Sequence, residues 1–188
     1  TLLAPGSRDC TSASRGPYVR FSVALLADHH EGTDPESLAG TVAEVAIHAE
    51  RLGYAAVFVT DHPAPDSRWL AGGGHQALEP TVALSFAAAA TTTLRLHTHI
   101  YVLAYRNPFL AGRSLASLQQ LSGGRLVVGV AAGYLRAEFA ALGVPFDERN
   151  ARTDESLDTL ARLWAGEEVA GEGLGWRARG VHQLPALA

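Results

Sequence analysis

The feature that most constrains this chain is a recurring couplet in which a short β-rich run is followed by a helical pattern. Runs beginning near residues 20, 55, 94 and 125 lie about 31 to 39 residues apart. That is the length of one strand–helix unit with its connections, and it implies a βαβαβαβα series around a parallel sheet, an α/β fold. Val19, Phe21, Val23, Leu25 and Leu26 form the first run and end at the polar cluster Asp28, His29, His30. Asp34 followed by Pro35 is an N-cap with proline at the first helical position, and Leu38, Val42, Val45, Ala49 and Leu52 then recur at helical spacing up to Gly53. Ala55 to Thr60 is continuously apolar, as a strand buried on both faces requires, and it delivers Asp61 and His62 at its C-terminal end. The cycle repeats with a helix from Pro80 to Thr92, a strand from Leu94 to Val102, a helix opened by Asn107 and Pro108, and a strand from Arg125 to Val130. Further helical patterns cover Leu135 to Leu142 and Asp147 to Ala165, closed by Gly143 and Gly166.

An open doubly wound sheet and a closed (β/α)8 TIM-type barrel share this pattern. No Gly-x-Gly-x-x-Gly turn follows the first strand, which favours the barrel. A complete barrel needs eight units, so the expectation is a barrel truncated to about four βα units, with residues 18–188 as one N-terminal half and residues 1–17 as a disordered leader. The charge and cysteine content narrow the partners. The formal net charge is −4, and the basic residues, all arginine, are scattered singly, which argues against nucleic acid. The single Cys10 allows no internal disulfide and fits a reducing cytoplasm. No apolar run approaches the ~18 residues needed to span a bilayer.

In a parallel barrel the active site lies at the C-terminal strand ends, where Asp61, His62 and His99 fall. By two-residue alternation Leu94, Leu96, Thr98, Ile100 and Val102 share one face of the third strand, and Arg95, His97, His99 and Tyr101 the other. If the first face packs on helices, the second lines the lumen. His62 carries the side chain best matched to proton transfer near neutral pH. The turn from Gly129 through Ala131, Ala132 and Gly133 leads into a helix N-terminus, where backbone N–H groups can hold an anion. The bland alternatives are a strand cap for Asp61 and His62 and a plain tight turn for Gly129 to Gly133. Glu138 and the segment from Asp147 to Arg152 read as support for helix packing and ion pairs. His75, in the Gly72–Gly74 loop, belongs either to a mobile lid or to a disordered segment.

Three segments resemble the luciferase-like monooxygenase family, especially its branch using the deazaflavin coenzyme F420. They are AERLGYAAVFVTDHP (Ala49 to Pro63), ALSFAAAATTTLRLHTHIYVLAYRNP (Ala83 to Pro108) and LQQLSGGRLVVGVAAGYLRAEFAALGVPFDERNARTDESLDTLARLW (Leu118 to Trp164). The resemblance implies an oxidoreductase that transfers hydride between an organic substrate and F420, with His62 as catalytic acid or base. It implies Asp61 beside the cofactor ring, and Thr98, His99 and Ile100 at a non-prolyl cis peptide that backs it. It places Ala131, Ala132 and Gly133 against the anionic part of the cofactor, although relatives carry glycine where Ala131 stands or an arginine near Ala132. Tyr134 stands where the family's sugar-phosphate dehydrogenases have an acidic residue, which argues against that substrate. Alternatives are a monooxygenase using reduced FMN and dioxygen, a catalytically inactive half-barrel, and a metal-dependent barrel hydrolase in which His97 and His99 join His29, His30 and Asp61. The expected partner is a small-molecule substrate, and a homodimer fits the family; no nucleic acid or membrane is expected.

Overall fold

The computed structural model describes residues 19–25 and 35–187. The leader over 1–17, with Cys10, and the residues Leu26, Asp28, His29, His30 and Asp34 lie outside the described residues. Strands β1 (Ser22–Ala24), β2 (Ala56–Val59), β3 (Arg95–Val102) and β4 (Leu126–Ala131) form one parallel sheet in the order β1-β2-β3-β4. Each strand therefore pairs with its neighbour in sequence. Among the described residues the strand order contains no switch point, and the fold is α/β with a four-stranded parallel sheet.

Helices α1 (Pro35–Arg51), α3 (Pro80–Ala90), α4 (Pro108–Leu121) and α6 (Arg149–Trp164) supply the covering layer. Val42, Ala46 and Ala49 of α1 and Ala83, Leu84 and Ala87 of α3 pack with Val57, Val59 and Leu96 of the sheet in one buried cluster. A second cluster joins Tyr101 and Leu103 to Ala111 and Leu115 of α4 and Leu160 of α6. Local chemistry sets the helix starts. Glu79 accepts a hydrogen bond from the Val82 backbone N–H at 2.9 Å, and Asn107 accepts one from Phe109 at 3.0 Å, each followed by proline in the first turn. No helix among the described residues is long and apolar enough to cross a membrane.

Three elements depart from the sequence expectation. A five-residue helix, α2 (Ser67–Ala71), sits in the β2–α3 connection, nucleated by Asp66, whose carboxylate accepts from the Trp69 backbone N–H at 2.8 Å. Residues 169–181 form an antiparallel hairpin, β5 (Val169–Gly173) with β6 (Trp176–Val181), separate from the parallel sheet. The hairpin is tied to α6: Glu155 accepts hydrogen bonds from the Leu174 backbone N–H and from Trp176 Nε1, and Arg152 donates to the Leu174 carbonyl. The third departure is in β3. Thr98 pairs with Val128 and Tyr101 with Val130, so three steps along β3 oppose two along β4. This extra residue inverts the alternation from Ile100 onward. Tyr101 therefore faces the helices with Leu115 and Leu160, instead of lining the lumen, while Ile100 and Val102 turn to the opposite side.

Candidate active site

At the C-terminal ends of the strands lies a cleft of about 400 Å3, within the range of small-ligand sites. Seven of the eight residues singled out in the sequence border it: Asp61 and His62 after β2, His99 and Ile100 at the β3 bulge, Ala131 and Ala132 at the end of β4, and Gly133 in the following turn. Thr98 does not. It is 1% exposed, and its hydroxyl donates to the Gly129 carbonyl at 2.9 Å and accepts from the Gly129 N–H at 3.0 Å. Its place is in the β3–β4 seam, bridging the two strands where the bulge interrupts their ladder.

The peptide bond between His99 and Ile100 is cis, as the resemblance implies. The bulge has a close neighbour in Gly129, where a Cβ would come within 2.6 Å of the Thr98 carbonyl oxygen, so only glycine lets β4 approach it. Gly133 has φ +84°, and a Cβ there would meet Val102 Cγ1 at 2.8 Å. On the β4 side the cleft is bordered by Ala131, Ala132 and Gly133, residues with little or no side chain. His99 stands edge-on to Phe58 with ring centres 5.1 Å apart. His97, one pleat below, has a buried Nε2 with no hydrogen bond. Burial, helped by Arg95 and His99, holds its imidazole below the usual histidine range.

Two acidic groups at this end are enclosed. Asp61, 4% exposed, accepts from the Val102 backbone N–H at 2.8 Å and from both terminal nitrogens of Arg106, at 2.6 and 2.9 Å. Burial alone would lower the Arg106 guanidinium, but the hydrogen bonds and charge of Asp61 outweigh it and raise it. Arg106 also lies 4.1 Å over the Tyr101 ring and 3.3 Å from Glu79. Glu138 of α5 (Arg136–Ala141) is 1% exposed; its Oε2 accepts from the Tyr105 hydroxyl at 2.6 Å and its Oε1 lies 3.4 Å from His62 Nδ1. Burial first, then the bond to Glu138, drives the Tyr105 hydroxyl far above the ordinary phenol range, so it remains a donor.

His62 is confined on several sides. Trp69 stacks on it with centres 4.5 Å apart, His75 meets it edge-on at 5.1 Å, and Tyr134 lies at 6.1 Å. His75 is itself fixed by a 2.9 Å contact between its Nε2 and Thr60 Oγ1, and Gly74 is pressed so closely on Trp69 that a Cβ would overlap the indole. The glycine loop is therefore a packed wall behind His62.

Arg106, Tyr105 and the role of Glu138 were not evident in the sequence, nor was the placing of Arg149 and Asn150 at the cleft. Arg106 had a signal: it lies in the connection just after β3, as Asp61 lies just after the adjacent β2. Arg149 brings a positive charge to the rim, while its guanidinium stacks 4.1 Å over Phe146 and donates to the Phe146 carbonyl. Helix α5, by contrast, has only six residues and no side-chain cap, and so offers little dipole. Among the described residues no three His, Cys, Asp or Glu side chains gather as metal ligands; His29 and His30, invoked for such a site, lie outside them.

The model of the luciferase-like monooxygenases matches residues 19–187. The chain is 31% identical over 150 residues to 4-hydroxyprotoasukamycin monooxygenase of Streptomyces nodosus subsp. asukaensis, an alignment covering 80% of this chain and 38% of that protein. It is 37% identical over 135 residues to F420-dependent glucose-6-phosphate dehydrogenase of Beutenbergia cavernae, covering 70% and 39%. Among solved structures, a monooxygenase from Streptomyces bottropensis superposes with a TM-score of 0.75 at 29% identity, over 89% of this chain and 50% of that one. The F420-dependent tetrahydromethanopterin reductase from Methanopyrus kandleri shares the fold, with a TM-score of 0.66 at 20% identity, over 91% and 48%. The chain thus spans under two fifths of those curated relatives' length and about half of the solved structures.

Proposed function

The chain belongs to the luciferase-like monooxygenase family, and from that premise we propose that it contributes to an oxidoreductase site that transfers hydride between a small organic substrate and coenzyme F420. The observation that carries this reading is the meeting of His62, backed by the enclosed Glu138, with the His99–Ile100 bulge in one cleft. The residues present fit a flat, conjugated ring: the bulge offers a backbone edge, and Ala131, Ala132 and Gly133 leave space that larger side chains would fill. Those residues, with Asp61 holding the adjoining backbone at Val102, would hold the ring, and Arg149 stands near enough to the rim to favour an anionic portion. F420, when bound, supplies a two-electron carrier for hydride.

The protein's own contribution is proton handling and exclusion of water. Oxidation of an alcohol carbon requires that the hydroxyl proton leave as hydride departs, and an imidazole is matched to that transfer near neutral pH. Of the two histidines that border the cleft, His62 is the one backed by an enclosed carboxylate, and Trp69, His75 and Tyr134 surround it.

A second reading, a monooxygenase using reduced FMN and dioxygen, is favoured by the extent of the match to 4-hydroxyprotoasukamycin monooxygenase, which covers 80% of this chain. The separating experiment is a fluorescence titration of the 188-residue chain with F420 and with FMN. Preference for F420, with a His62→Gln variant that still binds, supports hydride transfer. Preference for FMN promotes the monooxygenase, and binding of neither sinks both readings for this chain.

A further inference from the structure

We propose that Glu138 is a positioning residue: it fixes His62 as the tautomer protonated on Nδ1, so that Nε2 faces the chemistry as a proton acceptor. The inference rests on the reading of His62 as the proton-handling group. Its starting point is a buried carboxylate that packing alone does not call for. Glu138 is 1% exposed beside Phe139, itself 1% exposed, and an ionised group so enclosed is costly unless its oxygens are bonded. Its neighbours offer donors: the Tyr105 hydroxyl at 2.6 Å on Oε2, and the Ala64 backbone N–H at 3.4 Å on Oε1. Both partners require Glu138 to accept, which is what a carboxylate does and what a protonated acid does only in part.

His62 Nδ1 sits 3.4 Å from that same Oε1. This nitrogen is fully enclosed and makes no hydrogen bond in the resting geometry, while the side chain as a whole keeps 10% exposure and borders the cleft. A neutral imidazole carries one proton on one of its two nitrogens, and the partner of the enclosed nitrogen decides which. Facing a carboxylate, Nδ1 is the favoured seat of the proton, and Nε2 keeps its lone pair. His75 does not compete for the role, because its Nε2 is engaged by Thr60 Oγ1. Trp69 against one side of the ring and His75 and Tyr134 at its edges limit rotation that would exchange the two nitrogens.

The consequence is directional. In its neutral state His62 takes a proton: a substrate O–H bond breaks and leaves its electron pair on the oxygen, an Nε2–H bond forms, and the resulting imidazolium lies beside the Glu138 carboxylate. The small movement needed to bring Nδ1 and Oε1 from 3.4 Å into a hydrogen bond accords with catalytic contacts that tighten when a ligand binds.

The test uses no cofactor, so it stands or falls apart from F420 binding. The 188-residue chain labelled with 15N-histidine is recorded by NMR at a pH where the imidazoles are neutral, with the His62 signals identified by their loss in His62→Gln. The expected result is a proton on Nδ1 and an unprotonated Nε2. Glu138→Gln is expected to lose that preference, and Glu138→Asp to restore part of it. A wild-type His62 protonated on Nε2 overturns the proposal, and so does a folded Glu138→Gln with an unchanged tautomer. If Glu138→Gln does not fold, the wild-type spectrum still decides.

Discussion

At the N-terminal ends of the strands, charged side chains bond chiefly to backbone; at the C-terminal ends they bond chiefly to one another. Below the sheet, Glu50 Oε1 gathers the backbone N–H groups of Thr92, Thr93 and Leu94, at 2.6 to 2.9 Å, together with the Thr93 hydroxyl. Arg125 donates to the carbonyls of Ser122, Leu94 and Ala88 and to the Thr91 hydroxyl. All of these partners but Ala88, in the last turn of α3, belong to the turns that connect helix to strand, so this end is a closed clamp on the fold. Above the sheet, Asp61 is held by Arg106, Glu138 by Tyr105, and His62 Nδ1 has no hydrogen bond at all. Paired side chains carried on separate loops can shift with a ligand; side chains bonded to the chain's own turns cannot do so without loosening the fold. The same residue types thus build stability at one end and line the candidate site at the other.

The sharpest way to break this comparison is at Arg106. Arg106→Met strands the Asp61 carboxylate, whose side chain is 1% exposed, and is expected to cost about 3 kcal/mol of stability, measured by denaturant unfolding. Asp61→Asn combined with Arg106→Met should recover part of that loss, because the uncompensated charge is gone. If the double variant is no more stable than Arg106→Met alone, the pair is not the coupled unit described here.

At the opposite end, Arg125→Met removes four hydrogen bonds from a partly buried cation and should cost about 2 kcal/mol. The contrast lies in the second readout: affinity for whichever of F420 or FMN binds should be unaltered in Arg125→Met and weakened in Arg106→Met. Equal effects on binding from both would erase the distinction between clamp and site.

How far this division was legible in the sequence follows from the range of the interactions involved. The strand and helix order, the position of Asp61 and His62, and the cis bond at His99–Ile100 follow from local pattern and from a resemblance carried by contiguous motifs. Arg106, Tyr105 and Glu138 act across separations of 45, 33 and 74 residues, and no local pattern registers such pairs. The inversion at Ile100 was hidden for a different reason: strict alternation assumes a regular strand, and the bulge adds a residue without any glycine or proline in β3 to mark it. Thr98 is placed at the cofactor site by the resemblance, not by alternation, which puts it on the helix side; its hydroxyl spans the seam to Gly129.

Glu50 sharpens the comparison through pH. Burial pushes its carboxyl up, but the hydrogen bonds from Thr93, Leu94 and Thr92 outweigh it and bring it down to about 2 from 4.5. A carboxylate lowered on folding stabilises fully above its unfolded value and loses that contribution as the pH falls through its folded one. The expected loss therefore runs from about pH 4.5 down to about 2. Glu50→Gln should lower stability by about 1 kcal/mol at neutral pH and flatten the acid limb of the stability profile. An acid limb with the same slope in the variant would remove Glu50 from the clamp.

The smallest expected effect on stability comes from Tyr134, and it tests whether the upper end is a site in its own right. Its side chain stands at the cleft, 63% exposed, 6.1 Å from His62 and without a buried partner to leave unpaired. Tyr134→Ala should change unfolding free energy by no more than about 0.5 kcal/mol. Removing the ring also opens one side of the cleft to water and takes away a surface against which a bound ring or substrate would pack, so ligand affinity should fall several-fold in titration. A variant that unfolds like the parent and binds like the parent would mean that ligands do not reach this side of the cleft. Loss of binding without loss of stability is the opposite of what Arg125→Met should give, and together the two variants separate the end that holds the fold from the end that meets the ligand.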